Sequence, residues 1–339
     1  MHEAMFYEKT EDKEVKCGLC PHRCKIANQR RGICGVRENK EGVLYSLVYG
    51  KAISWAIDPI EKKPLYHFHP GSDIFSIATM GCNLRCGHCQ NYSISQLSGE
   101  EIEGRDLSPE KVVSQAKMTG CLSIAYTYTE PTIFFEYAYD TSRLAKKDNL
   151  NNIFVTNGYM SEESLKKMSP YLDAANVDLK SFSENHYRKI CGGKLKFVLR
   201  ILELMKELGI WLEVTTLLIP TLNDSEGELR KIAEFILHLG KDTPWHVSRF
   251  YPSYRMMDLP PASLETLHRA RQIGLDTGLR YVYTGNAPGD EGENTYCYQC
   301  RRAIIVRYGY HIKANHIQRG LCEYCKAKID GVGLQSRII

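Results

Sequence analysis

Eleven of the thirteen cysteines in this 339-residue chain fall into three groups: Cys17/Cys20/Cys24/Cys34, Cys82/Cys86/Cys89 and Cys297/Cys300/Cys322/Cys325. Thiolates are soft ligands that suit zinc and iron–sulfur clusters. The triplet Cys82-x3-Cys86-x2-Cys89 can hold three irons of a cubic [4Fe-4S] cluster, which leaves the fourth iron open to a cofactor. His88, inside the triplet, permits a competing zinc loop. Cys297-x2-Cys300 and Cys322-x2-Cys325 are two knuckles separated by 21 residues. This is the spacing of a zinc ribbon, in which four thiolates fill a tetrahedral shell; rubredoxin-like iron or a second cluster is the competing fill. Such a site would tie down a tail too small to bury a core of its own, with about 10–16 kcal/mol of metal binding coupled to folding. Cys17-x2-Cys20-x3-Cys24-x9-Cys34 also completes four ligands, with His22 as a possible substitute. Zinc would make that group a scaffold and a cluster would make it an electron relay. Spacing does not choose between them, and the scaffold is the expectation. Cys121 and Cys191 have no partner spacing and are expected in the core.

Composition narrows the setting. With 43% hydrophobic and 25% charged residues the chain is globular rather than disordered, and its length suggests about two domains. No run of 18 apolar residues is present, so no membrane span is expected. The charged start, Met1-His2-Glu3-Ala4-Met5-Phe6-Tyr7-Glu8-Lys9, does not suit a signal peptide, and a cytoplasmic location follows as an expectation. In that reducing compartment metal ligation explains the cysteines better than disulfides do. Net charge is +4 overall, yet residues 16–40 carry +6 (seven Lys/Arg, one acid) and residues 297–339 carry +6 (eight against two), which leaves −8 elsewhere. The basic excess thus coincides with the terminal cysteine groups. It fits either solvated metal-stapled loops or docking onto an acidic macromolecule.

Strands and helices alternate through the middle of the chain. Strands are expected at Ile74–Thr79, Leu122–Thr127, Asn152–Thr156, Ala174–Leu179, Trp211–Leu218, Trp245–Phe250 and Arg280–Thr284. Helices are expected from Ser108 to Met118, after Pro131, and at Glu162–Met168, Lys194–Leu208, Glu226–Leu239 and Leu264–Ile273. Ser108-Pro109-Glu110 supplies a capping hydroxyl and a first-turn proline, while Leu229, Ile232, Ala233 and Ile236 share one helical face. Repeated βα units imply a parallel sheet covered by helices, here an α/β partial (β/α)6 barrel. Chemistry is then expected in the loops after Thr79, Thr127, Thr156, Leu179, Leu218 and Phe250. The chain divides into a cysteine-rich module (1–60), the barrel (61–290) and a ribbon-like module (291–339).

The segment Thr79-Met80-Gly81-Cys82-Asn83-Leu84-Arg85-Cys86-Gly87-His88-Cys89 directly after a strand resembles the radical S-adenosylmethionine (radical SAM) superfamily. The resemblance implies that SAM chelates the open iron and that the reduced cluster splits it to a 5′-deoxyadenosyl radical. His88 stands where the superfamily usually has an aromatic ring and would stack on adenine. Tyr126-Thr127-Tyr128-Thr129-Glu130-Pro131 occupies the place of the Gly-Gly-Glu-Pro stretch that receives the SAM amino group, which makes Tyr128, Thr129 and Glu130 candidates. Val155-Thr156-Asn157-Gly158 and Asn176-Val177-Asp178-Leu179-Lys180 are similar to segments of pyruvate formate-lyase activating enzymes, and imply SAM contacts by Thr156, Asn157, Asp178 and Lys180. Val155 replaces an acid of that group's cation site. His246 matches a histidine near the adenosine, and the activases' SAM-binding arginine is replaced around Thr215. Together with Asp58-Pro59-Ile60-Glu61-Lys62-Lys63-Pro64-Leu65 and the terminal cysteine groups, the whole chain resembles the AmmeMemoRadiSam-system radical SAM enzymes.

The expected function is hydrogen abstraction from a substrate after SAM cleavage. Resemblance to glycyl-radical activases makes a protein or peptide a plausible target and a flavodoxin- or ferredoxin-type protein the electron donor. Two alternatives belong to other classes. Basic metal modules with Tyr296, Tyr298, Tyr308, Tyr310 and Tyr324 would suit an RNA-binding or RNA-modifying protein, and a non-enzymatic iron–sulfur electron carrier would need no SAM.

Overall fold

The computed structural model describes residues 1–97 and 101–334. Its main elements, numbered along the chain, are β1 (Ser54–Pro59), β2 (Asp73–Ala78), α1 (Pro109–Met118), β3 (Ser123–Tyr126), α2 (Phe135–Lys147), β4 (Asn151–Thr156), α3 (Glu162–Met168), β5 (Ala174–Asp178), α4 (Leu195–Glu207), β6 (Trp211–Leu218), α5 (Glu226–Leu239), β7 (Trp245–Arg249), α6 (Leu264–Thr277) and β8 (Val282–Gly285). The fold is mixed α/β. Serine hydroxyls start four of these helices: Ser108, Ser161, Ser225 and Ser263 each accept a backbone N–H from the first turn, which satisfies a donor the helix itself leaves open. The helix α6 runs four residues beyond the expected Ile273 because the chain can first turn at Gly278, whose φ of 112° suits a residue without a Cβ.

Two compact units divide the chain. The first comprises Met1–Asp58, Asp73–Ala175 and Tyr187–Ile210. Within it β2, β3 and β4 run parallel, with Ser123 opposite Ile74 on one side and Asn151 on the other. Nearly every residue of these strands is buried, as expected of a parallel sheet covered on both faces. Short antiparallel strands frame the N-terminal cysteines: Tyr7–Lys9, Val15–Cys17 and Lys25–Ile26 form one set, His2–Glu3, Val43–Ser46 and Arg37–Lys40 another. A buried ion pair fixes this segment to α2, with Arg37 Nη1 2.9 Å from Glu136 Oε1 and both side chains almost fully enclosed.

The second unit comprises Pro59–Ser72, Asn176–His186 and Trp211–Ile339. Its strands β6, β7 and β8 are parallel, with Val214 opposite Trp245 and Trp245 opposite Val282. The antiparallel strands Thr295–Tyr296, Ala303–Tyr308 and His311–Asn315 follow. One buried cluster holds Tyr66, Tyr281 and Tyr283 together with Cys297, Ile304, Ile305, Ile317, Cys322 and Ile329. The ribbon residues therefore share a core with the last βα strands.

Candidate active site and metal centres

The strand β2 ends at Ala78 and the chain turns at Gly81, whose φ is 95°. A Cβ there would stand 2.8 Å from the Cys34 carbonyl oxygen, so only glycine brings the next residue, Cys82, into place. The triplet loop is then clamped: Arg85 N donates to Cys191 O at 2.7 Å and Gly87 N to Ile190 O at 3.1 Å. Cys82 and Cys86 are buried and Cys89 is half-buried. Polar hydrogens surround the sulfurs. Leu84 N lies 3.4 Å and Asn157 Nδ2 3.6 Å from Cys82 Sγ, and Ser95 Oγ lies 3.2 Å from Cys89 Sγ. Burial pushes the Cys82 thiol well up, so a thiolate there needs a cation to hold it. Buried thiols with donors directed at them fit an iron–sulfur cluster, whose sulfurs accept such bonds.

The resemblance assigns Glu130 to an amino group of SAM, but its carboxylate is engaged internally. Oε1 accepts from Thr132 N (3.0 Å), Thr132 Oγ1 (2.5 Å) and Thr156 Oγ1 (2.7 Å), and Oε2 accepts from Asn157 N (2.8 Å). Three donors on Oε1 and one on Oε2 hold the carboxylate in place, and Oε2 keeps a second acceptor site. Burial pushes this carboxyl up against the pull of those bonds. Glu130 is thus the cap of the tight 3-10 turn Pro131–Phe134 that leads into the expected helix, and it ties that turn to the end of β4. Thr156 and Asn157 are brought together with it, and Asn157 reaches on to Cys82. Thr129 Oγ1 donates to Thr79 O at 2.8 Å, joining the loops after β3 and β2. Tyr128 adopts a φ of 63°, donates its hydroxyl to Asp58 Oδ2, and accepts Asn91 Nδ2 at its carbonyl (2.7 Å). Its ring is thereby fixed by a buried acid that also accepts Ser76 Oγ at 2.9 Å. His88 is buried.

The remaining candidates lie in the second unit. Asp178 and Lys180 pair with each other at 2.7 Å, the lysine mostly enclosed and the acid partly exposed. Thr215 Oγ1 donates to Asn176 Oδ1 at 2.8 Å. His246 has its Nε2 on Glu213 Oε2 at 2.7 Å and its ring against Tyr66 and Tyr283. That nitrogen faces Glu213 inside the unit. Glu213 also accepts the backbone N–H groups of Tyr66 (3.0 Å) and His67 (2.8 Å) and the indole of Trp211 (3.1 Å); burial raises its pKa, yet these partners, His246 first, hold it below the usual carboxylate range.

Sequence reasoning missed Asn83, Ser95 and Glu213. Asn83 is legible in hindsight as the neighbour of Cys82, and its amide accepts from Asn157 Nδ2 at 2.9 Å while donating to Tyr159 O at 2.7 Å. Glu213 had a weaker sign, an acid alone in an apolar strand.

Among the described residues, Cys297, Cys300, Cys322 and Cys325 form the group whose ligand atoms all lie within 4.8 Å of one another. Cys297 Sγ and Cys325 Sγ are 3.6 Å apart, Cys300 Sγ and Cys322 Sγ 3.8 Å. A tetrahedron with metal–sulfur bonds of about 2.3 Å has edges of about 3.8 Å, so the donors fit a single ion. The Arg302 backbone N–H holds the Cys300 thiol down at about 7, which favours the ligating form. Cys17, Cys20, Cys24 and Cys34 instead line an enclosed cavity of about 20 Å³. Cys121 and Cys191 are buried, as expected.

Comparison with known proteins agrees with this geometry. The Radical SAM superfamily profile matches residues 76–236. The chain is 47% identical to the uncharacterized protein MJ0808 of Methanocaldococcus jannaschii, over 97% of this chain and 99% of that one. It is 26% identical to a putative glycyl-radical enzyme activating enzyme of the same organism, over 60% of this chain and 78% of that one. Among solved structures, a radical SAM methyltransferase from Sphaerobacter thermophilus superposes with a TM-score of 0.52 at 16% identity, covering 67% of this chain and 71% of that one; this likeness is one of fold. No helix among the described residues is long and apolar enough to cross a membrane. The profile begins inside β2, the strand that delivers the cysteine triplet, and residues 76–236 of this chain are a radical SAM superfamily domain.

Proposed function

We propose that the chain is an activating-enzyme-like radical SAM enzyme that takes a hydrogen atom from a protein or peptide. The observation that carries this reading is the cysteine triplet, set just after a parallel strand with Asn157 and Leu84 donors against the buried Cys82 sulfur and Ser95 against that of the half-buried Cys89. When bound, the [4Fe-4S] cluster supplies the electron that splits SAM to the 5′-deoxyadenosyl radical. The chain's own residues do the rest. Asn157 and Ser95 steady the thiolates, and the Glu130 cap holds Asn157 where its amide reaches Cys82. Thr129 and Thr79 keep the loops after β3 and β2 in register, so that Tyr128 and Thr129 stand beside the triplet loop as SAM-positioning groups. Asp178 and Lys180 offer one charge of each sign at a strand end, suited to the SAM amino and carboxylate groups. The ribbon cysteines hold zinc as a structural ion. A flavodoxin- or ferredoxin-type protein donates the electron, in a cytoplasm that keeps thirteen thiols reduced.

Support for a protein substrate comes from the relative named as a putative glycyl-radical enzyme activating enzyme. The test is anaerobic reconstitution with iron and sulfide, dithionite reduction with SAM, and chromatography for 5′-deoxyadenosine. Cleavage is expected in the wild type and absent from a Cys82/Cys86/Cys89→Ala variant. An intact reduced cluster whose magnetic resonance spectrum ignores SAM, with no cleavage, would sink the reading.

A further inference from the structure

The four N-terminal cysteines take no part in the reaction just described, and their surroundings differ from those of the ribbon. The ribbon sulfurs are drawn to 3.6 and 3.8 Å, closed around the position of one ion. Cys17, Cys20, Cys24 and Cys34 surround open space of about 20 Å³, walled by Leu19, Ile26 and Ile133. Among the described residues only the ribbon sulfurs are gathered within 4.8 Å of one another, the close set that a lone zinc requires. A cluster sets its thiolates apart around an inorganic core.

A second observation is Arg37, which lines the same cavity. Arg37 is 1% exposed. Its Nη1 lies on both oxygens of Glu136 and its Nη2 on Met5 O. Its Nε is buried with no hydrogen-bond partner. A buried N–H donor is costly to leave unused, and a sulfide or thiolate sulfur of a cluster is the acceptor that this position offers.

The third observation is place. Gly81, next to Cys82, packs so closely on Cys34 that a Cβ would stand 2.8 Å from the Cys34 carbonyl oxygen. His22, within the cysteine group, has its Nε2 2.7 Å from Asn83 O. The amide of Asn83 meets Asn157 Nδ2 at 2.9 Å, and that nitrogen lies 3.6 Å from Cys82 Sγ. Hydrogen-bonded groups thus run without a gap from the first cysteine group to the sulfur of the second. Zinc has no redox chemistry and makes no use of such a junction.

We propose that Cys17, Cys20, Cys24 and Cys34 hold a second iron–sulfur cluster, which passes electrons to the cluster on Cys82, Cys86 and Cys89 across the His22–Asn83 junction. A low-potential ferredoxin- or flavodoxin-type reductant gives one electron to the N-terminal cluster. That cluster is re-oxidised as the second is reduced, and no bond or proton moves. The proposal rests on the preceding functional reading for its electron acceptor alone.

The test uses the full chain with Cys82/Cys86/Cys89→Ala, reconstituted anaerobically with iron and sulfide. About four irons and about four acid-labile sulfides per chain are expected, with a paramagnetic signal on dithionite reduction. Zinc without sulfide, or no metal outside the ribbon, overturns the proposal. In the reduced wild type, the relay requires the two clusters to broaden and split each other's resonances. An N-terminal signal identical to that of the triple variant overturns the relay. Both readouts are independent of SAM cleavage, so this proposal and the enzymatic reading fail separately.

Discussion

Glu130 separates two accounts of the site. If its carboxylate is held for SAM, Glu130→Gln should weaken SAM binding and leave the SAM-free protein as stable as before. The structure demands the reverse. Glutamine keeps Oε1 for Thr132 and Thr156 but sets an amide NH2 against Asn157 N–H, where Oε2 now accepts at 2.8 Å. One charge-assisted bond is lost and a buried backbone donor is orphaned, which together cost about 2–3 kcal/mol. Glu130→Ala orphans two backbone donors, Thr132 N and Asn157 N, and the two hydroxyls of Thr132 and Thr156 as well. The hydroxyls can rotate towards other acceptors and the amides cannot, so the cost is about 4–5 kcal/mol. Anaerobic urea unfolding of the reconstituted proteins, followed by circular dichroism, reads these differences, with SAM affinity measured by equilibrium dialysis on the folded fraction. A Glu130→Gln protein within about 0.5 kcal/mol of wild type that no longer binds SAM would refute the reasoning.

Two further outcomes follow from the second unit. Burial holds the imidazole of His67 down at about 4; its Nδ1–H faces Asp330 O at 2.7 Å and its Nε2 faces the Tyr283 hydroxyl at 2.5 Å. The unfolded chain takes up a proton near pH 6.5 that the folded ring does not, so stability present above that pH falls by about 2 kcal/mol between pH 7 and pH 5. His67→Phe should lower stability at pH 7 and flatten this dependence by that amount, and parallel stability–pH lines for the two proteins would contradict it. Cys322→Ser, which breaks a four-thiolate set lodged in a shared core, should release zinc to a chromophoric chelator and cost at least about 3 kcal/mol of stability. Unchanged thermal unfolding would show that the site bears no structural load.

The βα order was legible because each strand and helix is long enough to show its own period: Glu162–Met168, Trp211–Leu218 and Glu226–Leu239 fall where the pattern puts them. The N-terminal strands were not legible. They are two to four residues long, too short for periodicity, and are held by the loops around the cysteines. At the site, cysteine spacing announced which thiols are grouped, since cysteine is recognised by type alone. Glu130 and His246 announced only that something polar was present. Whether a buried carboxylate faces a ligand or four backbone and hydroxyl donors depends on where Thr132, Thr156 and Asn157 arrive in space, and no local pattern encodes that.

The ribbon's place in a shared core has a consequence for how the chain is made. Tyr66 belongs to the same buried cluster as Cys297, Ile304, Ile305 and Cys322, yet 250 residues separate Ser72 from Cys322. At roughly 5–20 residues per second, the segment Pro59–Ser72 waits on the order of tens of seconds at the ribosome before its partners emerge. The first unit is built from residues up to Ile210 and is complete in sequence early, whereas the second is complete only once the ribbon has emerged. A metal held by the four ribbon thiolates would therefore act as a late checkpoint on biosynthesis, and chains released without it would carry a second unit exposed to proteases.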